Sequence, residues 1–153
     1  SRVSRGLGDV YKRQPLFDIG QTSPKQDVAW MKSFMSIKDQ LDFKFIFCLE
    51  GKCISTNLCW AMSSNSVCVM PKPKYESWFM EGKLEDGVHY IEVKDDFSNA
   101  QEKIEFYNNN NDKCLEIIDN AKKFVKQFKD PKQERLIQLL ILKQYFKSTG
   151  QYE

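Results

Sequence analysis

Residues Phe43–Gly82, FKFIFCLEGKCISTNLCWAMSSNSVCVMPKPKYESWFMEG, decide the fold. Phe43–Leu49 is apolar and β-prone except at Lys44, and it stops at Glu50-Gly51. A run of that kind reads as a strand buried on both faces, as in parallel sheets. Ile54, Leu58 and Ala61/Met62 recur at helical spacing and predict a short helix over Ile54–Met62. Ser66–Met70 reads as a second buried strand, stopped by Pro71. Strand, glycine turn, helix and strand make a βαβ unit, whose ligands sit at the carboxyl ends of the strands. This places Glu50–Asn57 and Pro71–Trp78 side by side on one rim. N–H groups at the start of the first helix would be free to hold an anion there.

Downstream, Tyr75–Met80 reads as a short helix ending at Gly82. Asp86-Gly87 is a turn signal, and Val88–Val93 alternates as a third strand. Ser98 and Gln101 are placed to cap a helix carrying Ile104, Phe106 and Tyr107, which Asn108–Asn111 breaks. Asp112 is the expected cap of a further helix with Leu115, Ile118, Ala121, Val125 and Phe128 on one face. Asp130-Pro131 stops it and opens the last helix, about Lys132–Lys147. Leu136–Leu142 is apolar nearly all round, so that helix needs a packing partner beyond this domain.

Upstream, Phe17–Gly20 is a candidate strand and Gln21–Lys25 a loop. Asp27–Met35 is weakly helical, and Ser36-Ile37-Lys38-Asp39 resembles a capping box. Ser4–Gln14, SRGLGDVYKRQ, reads as a translated sequencing-library adaptor. The codons GAT GTG TAT AAG AGA CAG give Asp9–Gln14 and spell a transposase end sequence. Such a segment is excluded from fold reasoning. The expected organisation is 1–14 foreign and disordered, 15–42 a lead-in segment, 43–130 the α/β domain and 131–153 the terminal helix.

Setting 1–14 aside removes Arg2, Arg5, Lys12 and Arg13 against Asp9, and the net charge falls from +2 to −1. No basic field remains to favour nucleic acid. No apolar run has the length of a membrane span. The five cysteines, Cys48, Cys53, Cys59, Cys68 and Cys114, form no CxxC pair, and His89 is the single histidine. That spacing gives no metal site, and free thiols suit a reducing compartment.

The rim residues have a chemical reading and a bland one. Glu50 can accept a sugar or ribose hydroxyl, or be a solvated acid after a strand. Gly51 allows close approach of a ligand or a positive φ. Ser55, Thr56 and Asn57 can receive a diphosphate or merely cap a helix. Lys72 and Lys74 flank Pro73, and Glu76 can bind a hydroxyl. Tyr75 and Trp78 can stack on a base, or pack as Phe79 is expected to. His89 in a strand reads as structural, and Asp95-Asp96 reads equally as a cap or a donor contact. The sequence has no nucleophile–base set, P-loop or GxGxxG.

An ordered set of motifs then resembles glycosyltransferase family 90, with its CAP10-like domain, and most closely its bacterial lipopolysaccharide-core branch. The motifs begin with Lys44-Phe45-Ile46, Leu49-Glu50-Gly51, Ser55-Thr56-Asn57-Leu58 and Trp60-Ala61-Met62-Ser63-Ser64-Asn65-Ser66. Met70-Pro71-Lys72-Pro73-Lys74-Tyr75-Glu76 and Trp78-Phe79-Met80-Glu81-Gly82 continue them. Val88-His89-Tyr90 and Lys94-Asp95-Asp96-Phe97-Ser98 complete the set, within about Phe17–Phe146. The resemblance implies a Rossmann-like parallel sheet with flanking helices, the carboxyl-terminal half of a GT-B enzyme. It implies inverting sugar transfer from a nucleotide diphosphate sugar, such as a UDP-sugar, to a glycan or lipopolysaccharide-core acceptor, with no metal or other cofactor required.

By the same resemblance Glu50, Gly51, Ser55, Thr56, Asn57, Lys72, Lys74, Tyr75, Glu76 and Trp78 would bind the donor. The general base would be an aspartate in an amino-terminal domain, with no catalytic residue here and no activity of this piece alone. Eukaryotic members carry an arginine where Asn57 stands, so Lys72 or Lys74 would neutralise the second phosphate. The implied location is cytoplasmic, at the inner face of the inner membrane, with peripheral association of the full-length enzyme. The rival readings are a non-catalytic nucleotide- or glycan-binding α/β module, and a different α/β enzyme sharing only the unit around Gly51.

Overall fold

The computed structural model describes residues 17–19, 22 and 31–151. The adaptor-like segment and the loop and most of the weak helix expected before Met31 lie outside these residues. Residues 17–19 form no strand, and 32–35 are not helical. α1 (Ile37–Gln40) is capped by Ser36, whose hydroxyl oxygen accepts from Asp39 N–H at 3.2 Å.

The frame is a three-stranded parallel sheet flanked by helices. β1 (Phe45–Phe47), β2 (Val67–Met70) and β3 (Ile91–Glu92) lie in the order β1-β2-β3. Phe45, Ile46 and Phe47 stand opposite Val67, Cys68 and Val69, and Val69 and Met70 opposite Ile91 and Glu92. All four residues of β2 are buried. Val67 and Val69 face a core with Ile91, Val93, Phe97, Ile104 and Tyr107. Cys68 and Met70 face the other, with Ile46, Cys48, Leu58, Met62, Phe79 and Tyr90. Burying a large apolar side chain contributes about 1.5–3 kcal/mol. That double burial is why the strand carries no polar alternation.

α2 (Leu58–Met62) connects β1 to β2 and buries Leu58, Ala61 and Met62. It is shorter than its spacing predicts: the chain turns at 56–57, and the Ser55 and Asn57 side chains bond to each other and to Phe47 O instead of capping a longer helix. No helix forms over Tyr75–Met80. Met80 adopts a left-handed φ of 55°, and a 3-10 turn follows at Glu81–Lys83. The third strand is also shorter than Val88–Val93. Gly87, at φ +71°, turns the chain through 87–89, and its N–H donates to Tyr90 O at 2.8 Å.

α3 (Ala100–Asn109) and α4 (Asn111–Lys126) are separated by Asn110 alone. The side chain of Asn110 turns back and donates to Phe106 O at 2.7 Å. Asn99 and Asn110 occupy the cap positions expected of Ser98 and Asp112, and neither side chain caps. α4 buries Cys114, Ile117, Ala121 and Val125, while Leu115 is exposed. The stripe is therefore one residue out of phase with the expected one at its amino end. Cys114 behaves as the small hydrophobe, a common fate of free thiols.

α5 (Pro131–Ser148) begins as its sequence predicts: Pro131 is in the first turn, and Asp130 accepts from Lys132 N–H at 2.9 Å. No residue of α5 is buried. This domain buries neither face of the helix, and Leu136, Leu139, Leu140, Ile141 and Tyr145 are each more than half exposed. No helix among the described residues is long and apolar enough to cross a membrane.

Candidate functional site at the carboxyl ends of the strands

Each strand runs at its carboxyl end into a loop of the same rim, and contacts to carboxylates tie the three loops together. After β1, the Glu50 carboxylate accepts the backbone N–H of Lys74 at 3.1 Å through either oxygen and that of Tyr75 at 3.2 Å. After β3, Asp95 Oδ2 pairs with Lys74 Nζ at 2.8 Å. The two stretches that the βαβ unit predicts to be neighbours therefore touch, with the third strand's loop beside them.

Within 50–57 the side chains divide. Ser55 is buried, and its hydroxyl donates to Asn57 Oδ1 at 2.6 Å. Asn57 Nδ2 donates to Phe47 O at 2.9 Å. Both turn inward toward the end of β1, and Asn57 makes no capping bond. Leu58 N–H already donates to Ser55 O. With five residues, α2 also has only a small axial dipole. Thr56 is the exposed member of the three. Gly51 is not among the residues of positive φ. A Cβ on it would meet nothing within 4 Å, so the space above its backbone is open.

Within 71–78, Lys72 and Glu76 are exposed and Tyr75 is nearly half exposed. Glu76 lies over Gly82, where a Cβ would come within 3.3 Å of its carboxylate. Trp78 is 66% exposed yet leans edge-on against Phe128, at 5.4 Å between centroids, and Phe79. Phe79 is buried, as expected. Trp78 thus borders an aromatic group of Phe79, Phe124 and Phe128, while Tyr75 stands at the rim beside Glu50.

Glu81 was not singled out by its sequence. It is 4% exposed and accepts from Ser77 N–H at 2.6 Å and from the Ser77 hydroxyl at 2.7 Å. The i, i+4 spacing of Ser77 and Glu81 is the available signal, and it is a weak one.

His89 is half-buried in a turn, its ring 5.4 Å from that of Phe124. Its Nδ1 accepts from Glu85 N–H at 3.2 Å, which requires the neutral ring. Burial pulls its pKa down, opposed by Glu85. Asp96 accepts from Ser98 N–H at 3.0 Å, and that bond lowers its pKa. The Tyr90 phenol is pushed well up by burial and by its bond to Glu92, so it stays a donor. The buried Cys48 thiol is raised by its hydrogen bond with Cys68 and by burial. The five cysteines are free.

A family model described as "Glycosyl transferase family 90" matches residues 11–147. The chain belongs to glycosyltransferase family 90. The match overlaps the adaptor-like segment at 11–14. The chain is 41% identical over 137 residues to the O-glucosyltransferase LpsA of Dichelobacter nodosus, a match covering 89% of this chain and 43% of that protein. It is 26% identical over 139 residues to Protein O-glucosyltransferase 1 of Homo sapiens, across 80% of this chain and 35% of that protein. A third relative is Uncharacterized protein 179R of Invertebrate iridescent virus 6, 30% identical over 98 residues, across 60% of this chain and 8% of that protein. The chain spans less than half the length of these relatives.

Proposed function

We propose that this family 90 chain is the donor-binding part of an inverting glycosyltransferase, holding a nucleotide diphosphate sugar across the rim formed by 50–57 and 71–78. The observation that carries the reading is the convergence of the loops after three parallel strands, tied by Glu50, Lys74 and Asp95. Ligands of open parallel sheets sit at that end. Tyr75 offers an exposed ring for a base, and Lys72 an exposed cation for a phosphate. Thr56 and the open backbone at Gly51 complete the first loop's share.

Two of the relatives are named O-glucosyltransferases. Glucose is thus the sugar to try first, and a lipopolysaccharide-core or other surface glycan the acceptor. In this reading the acid that activates the acceptor hydroxyl comes from another domain, and the chain alone binds donor without turning it over. α5 is the surface on which that domain packs, no metal is required, and the enzyme works at the cytoplasmic face of the membrane.

Titration of UDP and UDP-glucose while following backbone amide shifts tests the reading. Shifts concentrated in 50–57, 71–78 and 94–96 are expected. Shifts confined to the opposite end of the sheet, or none at millimolar ligand, would remove it. The rival, a module that binds nucleotide or glycan without transfer, is favoured if the chain joined to an active relative's remaining domain binds UDP-sugar but transfers nothing.

A further inference from the structure

Loop 71–78 holds half of the expected donor contacts, yet its backbone is irregular and two prolines deprive it of N–H groups. Backbone donors in such a loop still need partners. Here they find carboxylates. Glu50, from the end of β1, takes the N–H groups of Lys74 and Tyr75. Glu81 takes the N–H and hydroxyl of Ser77 at the loop's far end. Asp95, from the end of β3, takes the Lys74 ammonium. The loop is suspended between three acids that come from three different parts of the rim.

Hydrogen bonds to a carboxylate are roughly twice as strong as neutral ones. A carboxylate has about four lone-pair positions. In Glu50, Oε1 serves both N–H groups and Oε2 shares that of Lys74. Both oxygens are thus directed at the neighbouring loop, which fixes the orientation of the carboxylate.

We propose that Glu50 is a positioning residue. It fixes the backbone at Lys74 and Tyr75, and so the placement of the Tyr75 ring for a nucleotide base and of the Lys74 ammonium in its pair with Asp95. It takes no donor hydroxyl itself. The proposal rests on the donor-site reading above and revises the part Glu50 plays in it.

Glu50→Gln keeps the side-chain shape, retains one oxygen and replaces the other with a group that cannot accept. Amide spectra of the labelled chain without ligand give the first readout. The Lys74 and Tyr75 resonances are expected to move upfield while those of Val67–Met70 hold, which separates loop release from unfolding. UDP, 2′-deoxy-UDP and 3′-deoxy-UDP are then titrated. All three dissociation constants are expected to rise by about tenfold, the scale of one charge-assisted bond, with their ratios unchanged. Glu50→Asp, which keeps the charge, should recover part of the affinity and carries the same readouts if the glutamine variant does not fold. A variant that loses the preference for UDP over a deoxy form would show Glu50 on a ribose hydroxyl and overturn the proposal. Unmoved Lys74 and Tyr75 amides would overturn it as well. A wild-type chain that binds none of the three nucleotides removes the donor-site reading and the nucleotide half of this one, while the ligand-free spectra still decide whether Glu50 sets the loop.

Discussion

The amide nitrogen Nδ2 of Asn57 donates to the carbonyl of Phe47 at 2.9 Å, across ten residues of chain. Cys48 N–H bonds Val69 O, so Cys48 turns its backbone toward β2. Residues of a parallel strand alternate in this respect, and the Phe47 carbonyl therefore points to the open side of β1. Asn57 satisfies that carbonyl and accepts from Ser55 in turn. A residue placed to meet a phosphate by its sequence position is thus a clasp between the first loop and the sheet edge.

The clasp has a direct stability consequence. Asn57→Asp replaces the donor with a carboxylate facing the Phe47 carbonyl. Urea unfolding should show a loss of about 1–3 kcal/mol, the cost of leaving a partly buried acceptor unpaired. Asn57→Ala should lose less, because it adds no repulsion. Stability unchanged in both variants would return Asn57 to the ligand.

Glu81 offers a second test. Its carboxylate lies buried with two bonds from Ser77. Glu81→Ala strands the Ser77 N–H and opens a void under the loop. A loss of about 1–3 kcal/mol is expected in the denaturant midpoint. Trp78 sits beside this turn, against Phe79, so its fluorescence should also shift in the native state. Ser77→Ala should cause a smaller loss and the same direction of shift.

His89 makes the stability pH-dependent. Its folded pKa is lowered by burial. The unfolded chain therefore takes up the proton first as pH falls below roughly 6.5. Stability rises with pH wherever the unfolded state binds more protons. The contribution of His89 is thus complete above the unfolded pKa and is lost as pH falls through the folded one. Protonation of Nδ1 also breaks its bond from Glu85 N–H. Unfolding midpoints at pH 7.5 and 5.5 should converge between wild type and His89→Gln on acidification. Asp96 adds acid sensitivity of the same sign through its bond from Ser98, but at lower pH and equally in both chains. Parallel pH profiles would show that His89 does not titrate differently on folding.

The parts of this fold legible in sequence are those that a single pattern decides. Val67–Met70, without a polar residue before Pro71, is a strand buried on both faces. Asp130-Pro131 opens a helix because proline's missing N–H costs nothing in a first turn. The rim was legible at Glu50, Lys74 and Tyr75 because βαβ geometry brings the strand ends together. Where two patterns compete, the sequence was ambiguous. α4 carries apolar residues on adjacent stripes, and Cys114 and Ile117 took the core in place of Leu115. The asparagines at 108–111 admit several break points, and the bond from Asn110 to Phe106 O chose one. Val88 and His89 alternate like a strand, but Gly87 at positive φ turns them. The buried Glu81 was invisible because its hydrogen-bond partner among the described residues is a serine four residues away.

The last helix carries the remaining prediction. α5 has no buried residue, and its apolar side chains point all round the axis. A helix of that kind is stable when other surfaces enclose it. Exposed apolar patches beyond a few hundred Å² on a soluble chain usually mark interfaces. Leu139 and Leu142 share one side, beside a shallow hollow with Pro131, Arg135 and Gln138. The isolated chain should therefore self-associate through α5, with a sedimentation coefficient that rises with concentration. Leu139→Glu with Leu142→Glu should shift that equilibrium toward monomer. Since neither leucine packs within the chain, the double variant should hold its urea midpoint to within about 0.5 kcal/mol per substitution. A monodisperse monomer at high concentration, unaffected by the two charges, would mean that α5 folds back onto its own domain. A large loss of stability in the double variant would point the same way.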